Sequence, residues 1–239
     1  MIMKGHITVS GNRRKDESMK IYITRHGQVD LETKYWNGDV NLPIGEAILS
    51  ELGEQQAVLV GKRLKELGFQ GKILSSPFVR TMQTAELIAK ETGSEIWPTD
   101  WMHEIFRDED AVSHYKGYTL TELRGICKHI AEDAQLQYPW WTLSPEDKII
   151  VQNRVARGID RLLKEQAEEE VLLVGHAASA GAAHNYLQLG GEHTWNCCLG
   201  MYDSEHPENN FGRDVSFIPE HMVSANAVMA IDINFGKNS

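Results

Sequence analysis

Short β-rich runs alternate with longer stretches of helical period along the chain. Lys20-Ile-Tyr-Ile-Thr24 predicts a first strand. A loop follows, marked by Asn37-Gly38 and Pro43. Ser50 then reads as an N-cap, with Glu51 and Glu54 in the first turn. Leu52, Leu59, Val60, Leu64 and Leu67 fall on one helical face, and Gly68 ends it. Lys72-Ile-Leu-Ser75 predicts a second strand, and Ser76-Pro77 a helix start, with Ser76 as cap and proline at the first helical position. That helix runs to about Thr92 and stops at Gly93, and Glu95 to Pro98 is a candidate edge strand.

The region from Asp100 to Leu143 is less regular and rich in aromatics, with one helix opened by the capping-box pattern Thr119-Leu-Thr-Glu122. Ser144-Pro145-Glu146-Asp147 opens a long helix whose buried side carries Ile150, Val151, Val155, Ile159, Leu162 and Leu163. Val171 to Val174 is continuously apolar, as a strand covered on both faces must be. Gly175-His176 follows, then a helical small-residue stretch from Ala177 to Ala183. Val215 to Pro219 and Val228 to Ile233 are two further β-like runs. This alternation predicts an α/β fold, a three-layer sandwich with a mostly parallel central sheet flanked by helices. Ligands in such sheets bind beyond the strand C-termini.

Residues 19–239 read as a single catalytic domain with an irregular insert at about 100–143. Met1 to Ser18 are polar and read as a mobile extension, or as residues upstream of a native start at Met19. The net charge of −10 repels nucleic-acid backbones and anionic membranes, so neither is an expected partner. Cys127, Cys197 and Cys198 are odd in number and lack metal spacing, which fits free thiols in a reducing cytoplasm. Ten histidines are present, but none pair at metal-binding helical spacing. No metal is expected, and His103, His184, His193, His206 and His221 read as surface or packing residues.

Three polar clusters directly follow strands: Thr24-Arg-His-Gly27, Ser75-Ser-Pro-Phe-Val-Arg-Thr-Met-Gln-Thr84 and Gly175-His176. Parallel strands would bring Arg25, His26, Arg80 and His176 to one edge. Phosphoryl transfer asks for such a set, because its transition state spreads negative charge over three equatorial oxygens. Arginine forks answer that charge with paired, permanently cationic donors. A neutral imidazole can attack phosphorus, and a carboxylic acid must protonate the leaving alcohol. Backbone N–H groups at Gly27 and at the helix start after His176 are candidate extra donors.

The sequence resembles the histidine phosphatase superfamily, the phosphoglycerate-mutase-like family, branch 1. The matching residues are Arg25-His26-Gly27-Gln28, Ser50-Glu-Leu-Gly-Glu-Gln-Gln-Ala57, Ser75-Ser-Pro-x-x-Arg80-Thr-x-Gln-Thr84, Glu104 and Gly175-His176. The resemblance implies a phosphatase acting on a small phosphate monoester, with His26 as the phosphorylated nucleophile and no organic cofactor. It implies that Arg25, Arg80 and His176 bind the phosphate, with Gly27, Gln28 and Ala177 beside it, and that Glu104 is the proton donor. Asp108, Glu109 and Asp110 compete for that last role, because Glu104 lacks the family's glycine-containing continuation. The Arg-His-Tyr-Gly continuation of the mutases is also missing, which disfavours a phosphomutase. Glu32 stands where many members have asparagine, and extra length precedes the Ser50 helix between Asn41 and Leu49. A phosphate-binding scaffold without turnover is the remaining alternative. Lys34, Tyr35 and Trp36, with Trp140-Trp141, form either a lid over the substrate or packing for the insert.

Overall fold

The computed structural model describes residues 19–30, 46–107, 109–141, 144–165, 169–191 and 193–224. Met1 to Ser18, Trp36 and the run Val228 to Ile233 lie outside them. Six strands form one sheet in the order β3-β2-β4-β1-β5-β6. They are β1 Lys20–Arg25, β2 Lys72–Ser75, β3 Ile96–Pro98, β4 Glu170–Gly175, β5 Leu199–Asp203 and β6 Phe211–Asp214. Strands β3, β2, β4 and β1 run parallel, and β5 and β6 continue the sheet antiparallel. The helices are α1 Glu51–Glu66, α2 Val79–Thr92, α3 Glu109–His114, α4 Leu120–Ile126, α5 Lys148–Glu165 and α6 Ala177–Tyr186.

Strand periodicity sorts the central residues between two apolar cores. Ile21, Ile23, Val171 and Leu173 point to one face and pack with Val151, Val155 and Ile159 of α5 and Ala180 and Ala183 of α6. Tyr22, Leu172 and Val174 point to the other, against Val60 and Leu64 of α1 and Met82, Ala85 and Ile88 of α2. That two-sided burial is why Val171 to Val174 is apolar without interruption. Each such side chain contributes about 1.5–3 kcal/mol by leaving water. The α4 helix joins the α1/α2 side through Leu123, and its Thr119 and Glu122 form the expected capping box.

Ser50 caps α1 by accepting from the Gly53 N–H, and Gly68 and Gly93 close α1 and α2 with φ of 78° and 79°. Three expectations are corrected, and one inner strand went unforeseen. The α2 helix starts at Val79, not behind Ser76, because Ser76 still extends the strand, donating its N–H to Val174 O at 2.9 Å. Ile150 is 44% exposed and faces away from the core, so Val151 carries the contact. Val215 to Pro219 forms a turn beyond β6, closed by the Ile218 N–H to Val215 O bond. Leu199 to Asp203, unmarked by any strong β signal, pairs with β1 as an inner antiparallel strand.

Candidate active site

Register brings the polar strand ends together. Arg25 lies opposite Gly175 across β1 and β4, and Ser75 lies opposite Val174 across β2 and β4. The residues after these positions therefore emerge side by side at the C-terminal edge of the parallel strands. His26 sits 5.3 Å from the His176 ring, centroid to centroid, and the His176 ring packs edge-on to Phe78 at 4.9 Å. The Arg80 guanidinium lies over the Phe78 ring, 4.5 Å from its centroid. Arg25, His26, Arg80, Glu104 and His176 are all buried.

His26 is held from both ends. Its N–H donates to Gly175 O at 3.0 Å, and its carbonyl accepts from Asn196 Nδ2 at 3.0 Å. Its ring Nδ1 lies 2.7 Å from Gly27 O. A carbonyl only accepts, so Nδ1 carries the proton of the neutral ring and Nε2 keeps its lone pair. Burial lowers the His26 pKa well below 6.5, and the positive Arg25 and Arg80 lower it further. His176 is lowered in the same direction by burial and then by Arg80. Both rings are thus neutral at pH 7. The Ser76 hydroxyl lies 2.8 Å from His176 Nε2, while His176 Nδ1 is buried with no hydrogen-bond partner among the described residues. An unpaired buried ring nitrogen costs free energy until a polar partner reaches it.

Glu104 reaches the first turn of α6. Its Oε1 accepts from Ile105 N–H at 2.9 Å and from Ala178 N–H, in the first turn of α6, at 3.3 Å. Charge attraction links it to both Arg25 and Arg80. The segment bearing it is braced by Arg154, which grips Glu146 with two bonds of 2.9 and 2.7 Å and donates to Trp101 O and His103 O. Ser179 joins this segment to α6, accepting from His176 N–H and donating to Met102 O at 2.8 Å. Of the competing acids, Glu109 is exposed on α3, Asp108 lies outside the described residues, and Asp110 is described in its backbone alone.

Gly27 and Gln28 have other duties. The Gly27 N–H donates to Thr84 Oγ1 at 3.1 Å, so the expected backbone donor is turned toward α2 instead. A Cβ at Gly27 would meet Gly53 O at 2.3 Å, which explains the glycine as close approach of α1 to the loop. Gln28 gives its N–H to Gln56 Oε1 at 2.8 Å, and its side-chain oxygen accepts from Ser50 Oγ at 2.9 Å. Ala177 opens α6, where backbone N–H groups have no partner within the helix. Trp36 is outside the described residues. Trp140 is buried among Phe78, Phe106 and Tyr115, with its Nε1–H donated to Tyr118 O at 2.9 Å, so it packs the insert against the site.

Several residues went unassigned in the sequence. Glu46 is buried beside Arg80 and accepts from Val79 N–H and from Tyr115 Oη–H, each at 2.8 Å. Asn196 fixes the nucleophile's carbonyl, and Thr84 ties Gly27 to α2. Thr84 stood within a matched motif, but nothing local marked Glu46 or Asn196.

Buried neutral histidines also set the acid limit of the fold. Burial holds His103 down to about 3 and His184 down to about 4, alongside His26 and His176. The unfolded chain takes up those protons near 6.5 and the folded chain does not, so stability falls as pH drops below that value. At pH 5 His103 and His184 should each cost about 2 kcal/mol, and His26 and His176 add to the loss in the same direction. Glu46, pushed up to about 7 by burial, acts in the opposite sense between about 4.5 and 7, but it is one group against four. Thermal unfolding measured from pH 7.5 to 4.5 should show a steadily falling Tm; a Tm that is flat or rises toward pH 5 contradicts this assignment.

A sheet of this topology, with two histidines and two arginines buried at its parallel edge, defines an α/β protein with a cationic cluster at the strand C-termini. The chain belongs to the histidine phosphatase superfamily (branch 1), whose sequence pattern matches residues 21–202. Among curated relatives it is similar to the probable phosphoglycerate mutase GpmB of Escherichia coli strain K12 / DH10B, with 38% identity over 79 residues, 33% of this chain and 34% of the relative. GpmB of Salmonella arizonae matches over the same length at 37%. The chain thus spans about a third of these relatives' length. Among solved structures, the fold is similar to the ecdysone phosphate phosphatase EPPase from Bombix mori in complex with tungstate, with TM-score 0.54, 17% identity, and 77% of this chain and 88% of that one covered. It is also similar to Bacillus stearothermophilus YhfR, with TM-score 0.53, 21% identity, and coverage of 77% and 90%.

Proposed function

We propose that the protein is a phosphoric monoester hydrolase that works through a phosphohistidine at His26, with Glu104 as proton donor. The observation that carries this reading is the neutral, oriented His26 ring buried with Arg25, Arg80 and His176 at one edge of the sheet. The Nε2 lone pair attacks phosphorus as the ester P–O bond breaks. Its electrons pass to the leaving oxygen, which takes a proton from Glu104. Arg25 and Arg80 answer the charge on the equatorial oxygens, and His176 Nδ1 can meet one of them. Water then attacks phosphorus and gives a proton to the Glu104 carboxylate. The P–N bond breaks and its electrons return to Nε2.

Hydrolysis is preferred to phosphomutase chemistry because the mutase continuation after the acid is absent, although the curated relatives carry a mutase name. The acidic body argues for a small-molecule ester rather than nucleic acid or membrane, and the free buried thiols fit a cytoplasmic setting. No helix among the described residues is long and apolar enough to cross a membrane. The direct test is release of inorganic phosphate from an aryl phosphate by purified protein, followed by a screen of sugar, nucleotide and other small phosphates. Steady release is expected; phosphate binding with no release from any ester would favour a scaffold.

A further inference from the structure

We propose that Glu46 is a positioning residue for the phosphate grip: its carboxylate pins the first turn of α2, and Arg80 with it, to Tyr115 of the insert. The inference rests on the phosphatase reading above and adds to it a residue from the stretch of extra length ahead of α1. The α2 helix has Phe78 at its N-cap, which offers no side-chain acceptor to the free N–H groups of the first turn. Glu46 supplies one from outside the helix, taking the Val79 N–H at 2.8 Å. Val79 is the residue directly before Arg80. The other carboxylate oxygen takes the Tyr115 hydroxyl at 2.8 Å. Phe78 completes the link, stacking on Tyr115 at 4.9 Å and lying under the Arg80 guanidinium at 4.5 Å.

A carboxylate this deeply buried is costly unless it is paired. Its compensation is the Val79 N–H, the Tyr115 hydroxyl and the charge of Arg80. The titratable and charged groups facing it are Arg80 from α2 and Tyr115 and Tyr118 from the insert. A simple counter-ion would weaken phosphate binding, and its removal would tighten it. A positioning residue does the reverse, because a loosened Arg80 loses the fixed fork that makes its bonds to phosphate strong. The two roles therefore predict opposite signs.

The test compares wild type, Glu46→Gln and Tyr115→Phe by calorimetric titration with inorganic phosphate and by the pH dependence of kcat/KM on an aryl phosphate. Glu46→Gln should weaken phosphate binding by about tenfold, the loss expected when charge-assisted bonds are broken. It should also remove a fall in kcat/KM that wild type shows as pH drops through about 7, where Glu46 protonates. Ionisation of the substrate is common to all three proteins and cancels in the comparison. Tyr115→Phe should shift binding in the same direction by about threefold. Unchanged or tighter phosphate binding by folded Glu46→Gln overturns the proposal. Should that variant fail to fold, wild-type phosphate binding by Tyr115→Phe overturns it instead. Wild type that binds phosphate but hydrolyses no ester overturns the phosphatase reading, and Glu46 is then judged by the binding titrations alone.

Discussion

Replacing His26 by alanine should lower turnover of a phosphate monoester by on the order of ten-thousandfold or more, because the covalent step has no other nucleophile. Affinity for inorganic phosphate should change far less, since Arg25 and Arg80 remain in place. The backbone of residue 26 also keeps its bonds to Gly175 O and Asn196 Nδ2, so the loop should hold its path. The lost ring leaves a cavity beside His176 and should cost about 2 kcal/mol of stability. Steady-state kinetics with phosphate titration checks the split. A His26→Ala protein that keeps a tenth of wild-type turnover would exclude the histidine as nucleophile.

Glu104→Gln is expected to have the second-largest effect, and its size should depend on the leaving group. Glutamine can still accept from Ile105 N–H and Ala178 N–H through its amide oxygen, so the side chain keeps its place. What it loses is the proton. An alkyl phosphate, whose leaving alkoxide is strongly basic, should slow by about a thousandfold. An aryl phosphate leaves as a stable phenolate and should slow far less in the first step. A burst of phenolate followed by slow phosphate release is then expected, because activation of water still needs the carboxylate. Equal losses on both esters would move the acid elsewhere, and Glu109→Gln and Asp110→Asn would be the next variants to measure.

The site was legible wherever function and local sequence coincide. Arg25 ends and His26 follows a strand whose β-rich run is plain, and His176 follows a strand apolar on both faces. The register of β1, β2 and β4 then does the rest. What sequence concealed depends on partners far along the chain. Glu46 meets Tyr115 across 69 residues, and Asn196 meets His26 across 170, so no window carries either pairing. Gly27 looked like a phosphate donor by its place in the motif, but the hydroxyl of Thr84 takes its N–H. Ser76 looked like a cap by its type, yet its hydroxyl serves His176 and its carbonyl accepts from Thr81 Oγ1 at 2.8 Å. The inner strand β5 was missed because Leu199-Gly-Met-Tyr-Asp203 has neither β-branched residues nor clean alternation. Its place is set by the neighbouring edge of β1, which needs a partner for its backbone.

The proposed reaction requires a covalent bond between phosphorus and one imidazole nitrogen. Rapid acid-free quenching of the protein during turnover of a phosphorus-32-labelled ester, followed by peptide mapping, reads that bond directly. Label stable to alkali, labile to acid, and confined to the peptide bearing His26 is the expected result. Turnover with no label on the protein, or label on any other residue, would contradict it.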